Sequence, residues 1–135
     1  MDPEMVQTSY GFSKVVSMGF EEAIDKITEE LKEEGFGVLT YIDVKATLKN
    51  KLGVDFNSYA ILGACNPRFA HKALQVEGEI GLMLPCNVIV YVNDQSETVV
   101  SAINPIASMQ AVENPALMNI ATEVQERLKS IIEKI

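Results

Sequence analysis

The stretch CNVIVYVNDQSETVVSAI, residues 86–103, decides the fold. Cys86 to Asn93 is a nearly continuous apolar run, the mark of a strand that is central in a sheet or covered on both faces. Asn93-Asp94-Gln95-Ser96 supplies the residue types that favour a tight turn. Thr98 to Ile103 is again β-branched, so the whole stretch reads as a hairpin and the sheet as antiparallel.

On the N-terminal side of this hairpin the period changes twice. Gly11 to Ser17 reads as a first strand. From Phe20 the apolar residues Phe20, Ala23, Ile24, Ile27 and Leu31 recur at three- and four-residue steps, which predicts an amphipathic helix. Ser17, with acidic Glu21 and Glu22, suits its start, and Gly35 its left-handed stop. Phe36 to Asp43 reads as a strand, Lys45 to Leu52 as a short helix, and Ser58 to Cys65 as another strand. Asn66-Pro67 then suits an N-cap and first helical position, with a helix through Arg68 to Gln75. Pro85 cannot donate a ladder hydrogen bond, so a bulge, an edge or a strand start is expected there.

On the C-terminal side a short irregular or helical passage follows Pro105. Pro115 opens a last helix whose stripe is Leu117, Ile120, Ala121, Val124, Leu128, Ile131, Ile132 and Ile135. Strands cluster in the middle instead of alternating with helices. The expected class is therefore α+β, an antiparallel sheet with long helices on one face in the order β-α-β(4)-α, with short helical insertions. The 135 residues form one domain, with residues 1–8 expected to be a flexible N-terminal segment.

Eleven basic against nineteen acidic residues give a net charge of −8, which repels phosphate backbones and makes nucleic acid an unfavoured partner. Met1 to Tyr10 resembles neither a secretory signal nor a transit peptide, and Ile80 to Val92, broken by Gly81, Pro85 and Asn87, is too short to span a bilayer. A cytoplasmic location with no membrane association is expected, and with it free thiols.

No P-loop, zincin, nucleophile elbow or kinase signature occurs, so no catalytic set is recognisable. The stretch that invites chemistry is LGACNPRFAHKAL, residues 62–74. Cys65 precedes the helix start at Asn66, where the partial positive charge of a helix N-terminus favours thiolate. His71 lies about one turn further on. If the strands that end at Cys65 and begin at Cys86 are neighbours, Cys65, His71 and Cys86 form a candidate site for a zinc-like metal ion. Cys65, Asn66, Arg68 and Cys86 are the candidate ligand-binding residues. Free cysteine is among the most often buried residue types and acts in cores as a small hydrophobe, the reading that ranks first here, and the paired Cys-x-x-Cys hooks of structural zinc sites are missing. Lys45, Lys49, Lys51, Arg68 and Lys72 can gather into an anion site or remain solvated surface.

Gly11-Phe12, Glu34-Gly35-Phe36-Gly37-Val38, Asp43-Val44, Leu62 to Pro67 and Leu84 to Tyr91 together make the chain resemble the DUF302 family of small uncharacterised proteins over nearly its whole length. The resemblance implies a β-α-β(4)-α fold like half of the TATA-box-binding protein, assembled as a homodimer. It implies no catalytic residues. The expected function is a dimeric binding or interaction domain of unknown small-molecule ligand with no recognisable catalytic set, which leans away from an enzyme without deciding it. The alternative is a thiol- or metal-binding protein in redox or metal handling that uses Cys65, Cys86 and His71.

Overall fold

The computed structural model describes residues 4–135. Six strands form one antiparallel sheet: β1 (Val6–Gln7), β2 (Gly11–Val16), β3 (Gly37–Asp43), β4 (Tyr59–Cys65), β5 (Cys86–Val92) and β6 (Thr98–Ile103), in the spatial order β1-β2-β6-β5-β4-β3. The hairpin pairs Val92 with Thr98 and Val88 with Ala102, so residues 86–103 fold as their sequence indicates. Ser96 takes the left-handed conformation in its turn.

Two helices cover one face of the sheet. The stripe of α1 (Phe20–Glu33) buries Ala23, Ile27 and Leu31, and that of α5 (Pro115–Lys134) buries Leu128, Ile131 and Ile132. They meet Phe12, Leu62, Val88, Val90 and Val100 from alternate positions of four strands. Each such side chain, fully removed from water, contributes about 1.5–3 kcal/mol. A second small cluster lies beside the first, where Ala73 of α3 (Pro67–Val76), Ile80 of a 3₁₀ turn (Gly78–Met83) and Met109 of α4 (Pro105–Met109) pack on Leu117 and Ala121 of α5. Omitting β1 and the short helices leaves β-α-β(4)-α.

Three local readings change. The N-cap of α1 is Gly19, not Ser17, and it makes no side-chain cap bond. Val6–Gln7 of the segment expected to be flexible pairs with β2 through Val6 opposite Ser13; residues 1–3 of that segment lie outside the described residues. The β5 strand is central yet covered on one face only: Cys86, Val88 and Val90 are buried, while Asn87 is exposed and Ile89 and Tyr91 are half-buried. Its apolar run is continuous because alternate residues serve the core and an apolar open face.

The other short helix, α2 (Val44–Leu52), begins where Asp43 accepts a hydrogen bond from the Ala46 amide at 2.9 Å. The stop of α1 forms as expected. Gly35 has φ +86°, its amide donates to Lys32 at 3.0 Å, and the Phe36 amide reaches back to Leu31 at 2.9 Å. This satisfies the Lys32 carbonyl, gives the Leu31 carbonyl a second donor beside the Glu34 amide, and drops Phe36 into the core beside Leu31. A side chain at 35 would sit in the left-handed region and bring its Cβ within 3.1 Å of the Asn66 amide nitrogen. Gly35→Ala should therefore destabilise the fold by about 1–2 kcal/mol, read as a lower urea midpoint at unchanged slope.

Candidate functional site

The segment singled out by sequence lies at one end of the sheet, where β4 runs into α3 and β5 begins. Register pairs Ala64 with Cys86, which points to the helix-covered side; Cys65 is offset by one residue at the strand end. Both cysteines are free and border one apolar cavity of about 30 Å³, room for about a single water, between Phe36, Phe69, Leu84, Met109 and Val124. Burial, and after it the neighbouring Cys65 thiol, pushes the Cys86 thiol up to about 11. A thiol held protonated in that way is a poor nucleophile and a poor metal ligand at neutral pH.

The remaining candidates divide between structure and surface. Asn66 occupies the N-cap position of α3, but its side chain does not cap. Its Nδ2 instead donates to the Glu34 carbonyl at 3.3 Å, tying the end of α1 to the β4–α3 junction. Arg68 is exposed in an open groove with Lys72, Glu33 and Glu123. Arg127 stacks over Phe69 at 5.2 Å and binds Glu34, which also takes Lys134 at 3.2 Å. His71 is exposed on α3. Among the described residues no three His, Cys, Asp or Glu side chains group to hold a metal ion, so Cys65, His71 and Cys86 are not brought together as ligands. The reason is geometric: Cys86 is committed to the buried side, and His71 sits on a helix position that faces water.

The five cations separate as well. Lys45, Lys49 and Lys51 lie on α2, before the start of β4, whereas Arg68 and Lys72 lie on α3, beyond its end. Lys49 is engaged with Asp55 at 3.1 Å.

A different site, on the open face of the sheet, was not singled out from sequence. Alternation places Ser13 of β2, Tyr59 of β4, Asn87, Ile89 and Tyr91 of β5 and Ser101 of β6 on that face, and the register sets Tyr59 opposite Tyr91 and Ser13 opposite Ser101. The two tyrosine rings stack with centroids 5.1 Å apart, and Phe56 leans on Tyr59 at 6.2 Å. The Ser13 and Ser101 hydroxyls share a hydrogen bond of 2.7 Å. With Thr8, Tyr10 and Ile103 these residues line a depression of about 470 Å³ in which no lining side chain is charged. Burial, and then its tyrosine neighbours, raises the Tyr59 hydroxyl above its ordinary value, so it stays a neutral donor. The sequence signal was present as Tyr59-x-Ile61 and Ile89-x-Tyr91, but period two alone does not say which face lacks a cover.

Fold and site together define a small α+β domain with one helix-covered and one open sheet face. Residues 12–135 match the family model described as "Domain of unknown function DUF302", and the chain belongs to that family. It is similar to the crystal structure of the uncharacterized conserved protein DUF302 from Bacillus stearothermophilus, with 33% identity and a TM-score of 0.87 over 94% of this chain and 98% of that one. No curated protein matches the chain. Among the described residues no helix is long and apolar enough to cross a membrane.

The Cys86 thiol sets a pH dependence. An unfolded thiol releases its proton near 9.0 and the folded one near 11, so between these values deprotonation favours the unfolded chain. Stability of the wild type should fall relative to Cys86→Ala as pH rises from 9.0 to about 11, and the difference should be flat below that window. Urea melts across the range read it directly.

Proposed function

We propose that the chain is a binding domain, acting as a homodimer, whose open sheet face takes a small, neutral molecule carrying a planar aromatic ring. The observation that carries this reading is the uncharged, aromatic-rimmed depression over β2, β6, β5 and β4. Its volume of about 470 Å³ falls in the range of small-molecule sites, roughly 300–1,000 Å³. The Tyr59–Tyr91 stack presents a ring face of the kind that offset aromatic stacking uses. The Ser13–Ser101 pair leaves one hydroxyl hydrogen free to meet an acceptor on the ligand, and the Asn87 amide offers both donor and acceptor.

The absence of charge from this lining selects the ligand class. An anion or cation brought here would lose hydration without gaining an opposite charge, a cost of several kcal/mol in a site of this kind. The chain's −8 charge further disfavours anionic ligands, nucleic acid among them. The cavity at the cysteines is too small for an organic ligand, and its Cys86 thiol stays protonated. Binding, and not thiol or metal chemistry, is therefore the function that the geometry supports best.

Neutral heteroaromatic fragments, screened by NMR on the labelled full chain, should shift the resonances of Ser13, Tyr59, Asn87, Tyr91 and Ser101. Tyr91→Ala should weaken the best fragment roughly tenfold. Shifts confined to residues around Cys65 and Cys86, or hits indifferent to Tyr91→Ala, would sink the assignment.

A further inference from the structure

The two edges of the sheet are built differently. One ends in β1, a strand of only two residues, which offers a neighbouring chain almost no ladder to extend. The other ends in β3, seven residues long and exposed along most of its length. Proteins ordinarily blunt such an edge with lysine, proline or an inward-pointing charge. β3 has no lysine, proline or charge before its last residue, Asp43, and its one irregularity, between Val38 and Thr40, leaves Thr40, Tyr41 and Ile42 in regular strand beyond it.

The same stretch of chain holds an unusual share of the exposed apolar surface. Leu39 is 68% exposed, Tyr41 51% and Ile42 47%, and Leu52, Val54 and Phe56 follow in α2 and the loop after it. α2 itself buries no residue, although it carries Leu48 and Leu52. A strand and helix of this composition are built to be covered.

We infer that β3 is the seam of the homodimer, the Thr40–Asp43 stretch of one copy pairing antiparallel with the same stretch of a second copy to make one continuous sheet. The inference rests on the dimeric part of the function proposed above. A second copy fits for three reasons. An antiparallel strand pair is self-complementary about a two-fold axis, so each copy satisfies the other's free amides and carbonyls alike. The irregularity in the β3–β4 register between Val38 and Thr40 leaves Thr40–Asp43 as the regular stretch and Leu39 without a partner on β4 and exposed.

The third reason is charge. α2 bears Lys45 and Lys51, besides Lys49, which Asp55 engages, while the opposite end of β3 adjoins Glu33 at the close of α1, next to Glu34, which Arg127 and Lys134 engage. Antiparallel pairing carries Lys45 and Lys51 of each copy toward Glu33 of the other, which offsets part of the repulsion between two chains of net charge −8. Four paired residues are too few for a stable interface, which needs on the order of 800 Å² per partner. Leu52, Val54 and Phe56, exposed in α2 and the loop that follows it, are the apolar surface available to extend it.

Sedimentation velocity and light scattering on the full chain test the seam. The wild type should run at twice 14.8 kDa. Ile42→Lys, which places like charges across the axis, should raise the dimer dissociation constant roughly 100-fold. Leu82→Lys, at an exposed leucine far from β3 in the chain, should leave it unchanged. A wild-type monomer at working concentration would overturn both the seam and the dimeric reading; a dimer unmoved by Ile42→Lys would overturn the seam alone. Hydrogen exchange needs no variant: the alternate amides of Thr40–Asp43 that point away from β4 should lose protection on dilution of the wild type, and concentration-independent exchange at those amides would also refute the seam.

Discussion

The packing of α1 and α5 against one face of a single antiparallel sheet is the contact on which the rest of the molecule depends. Ile27, Leu31, Leu128, Ile131 and Ile132 are fully buried against Phe12, Leu62, Val88, Val90 and Val100, drawn from strands far apart in the chain. Two helices provide two apolar stripes, and both are spent on the same side. The other side of the sheet is left to be closed by its own side chains, and there the aromatic and hydroxyl residues of the candidate ligand site gather.

That arrangement sets a division of labour between the ends, edges and faces of the sheet. The Gly35 stop returns the chain from α1 into β3 and brings Glu34 within reach of Asn66, Arg127 and Lys134. The cysteine end is thereby tied down on several sides, with a cavity that admits little more than a water molecule. A locked junction of this kind holds geometry and offers little room for chemistry. The open face, rimmed by Tyr59 and Tyr91, and the bare β3 edge are where the molecule presents surface to others.

The fold was largely legible because its signals are local. The helical period of α1 and α5, the β-branched hairpin at residues 86–103, the stop signal at Gly35 and the start signals at Pro67 and Pro115 each act within a few residues. Chemistry was harder to read. Cys65, Asn66 and Cys86 do converge on one end of the sheet, as their positions suggest, but burial raises Cys86 above the useful range and Asn66 turns its amide to a carbonyl 32 residues away. His71 was judged by its spacing from Cys65, and a helix's rotation, not that spacing, decides where its imidazole points.

The sequence by itself determined the α+β class, the order of strands and helices, the antiparallel hairpin and the family to which the chain belongs, since each follows from periodicity, turn chemistry or quoted motifs. Only the tertiary structure decided that Tyr59 meets Tyr91, that Ser13 meets Ser101, and that their shared face carries no covering helix. It also decided which sheet edge is blunted and which is bare. The reason is that alternation along a strand assigns residues to two faces without saying which face the helices take. That choice is made by the crossing of α1 and α5 over the sheet, a contact between segments about 100 residues apart.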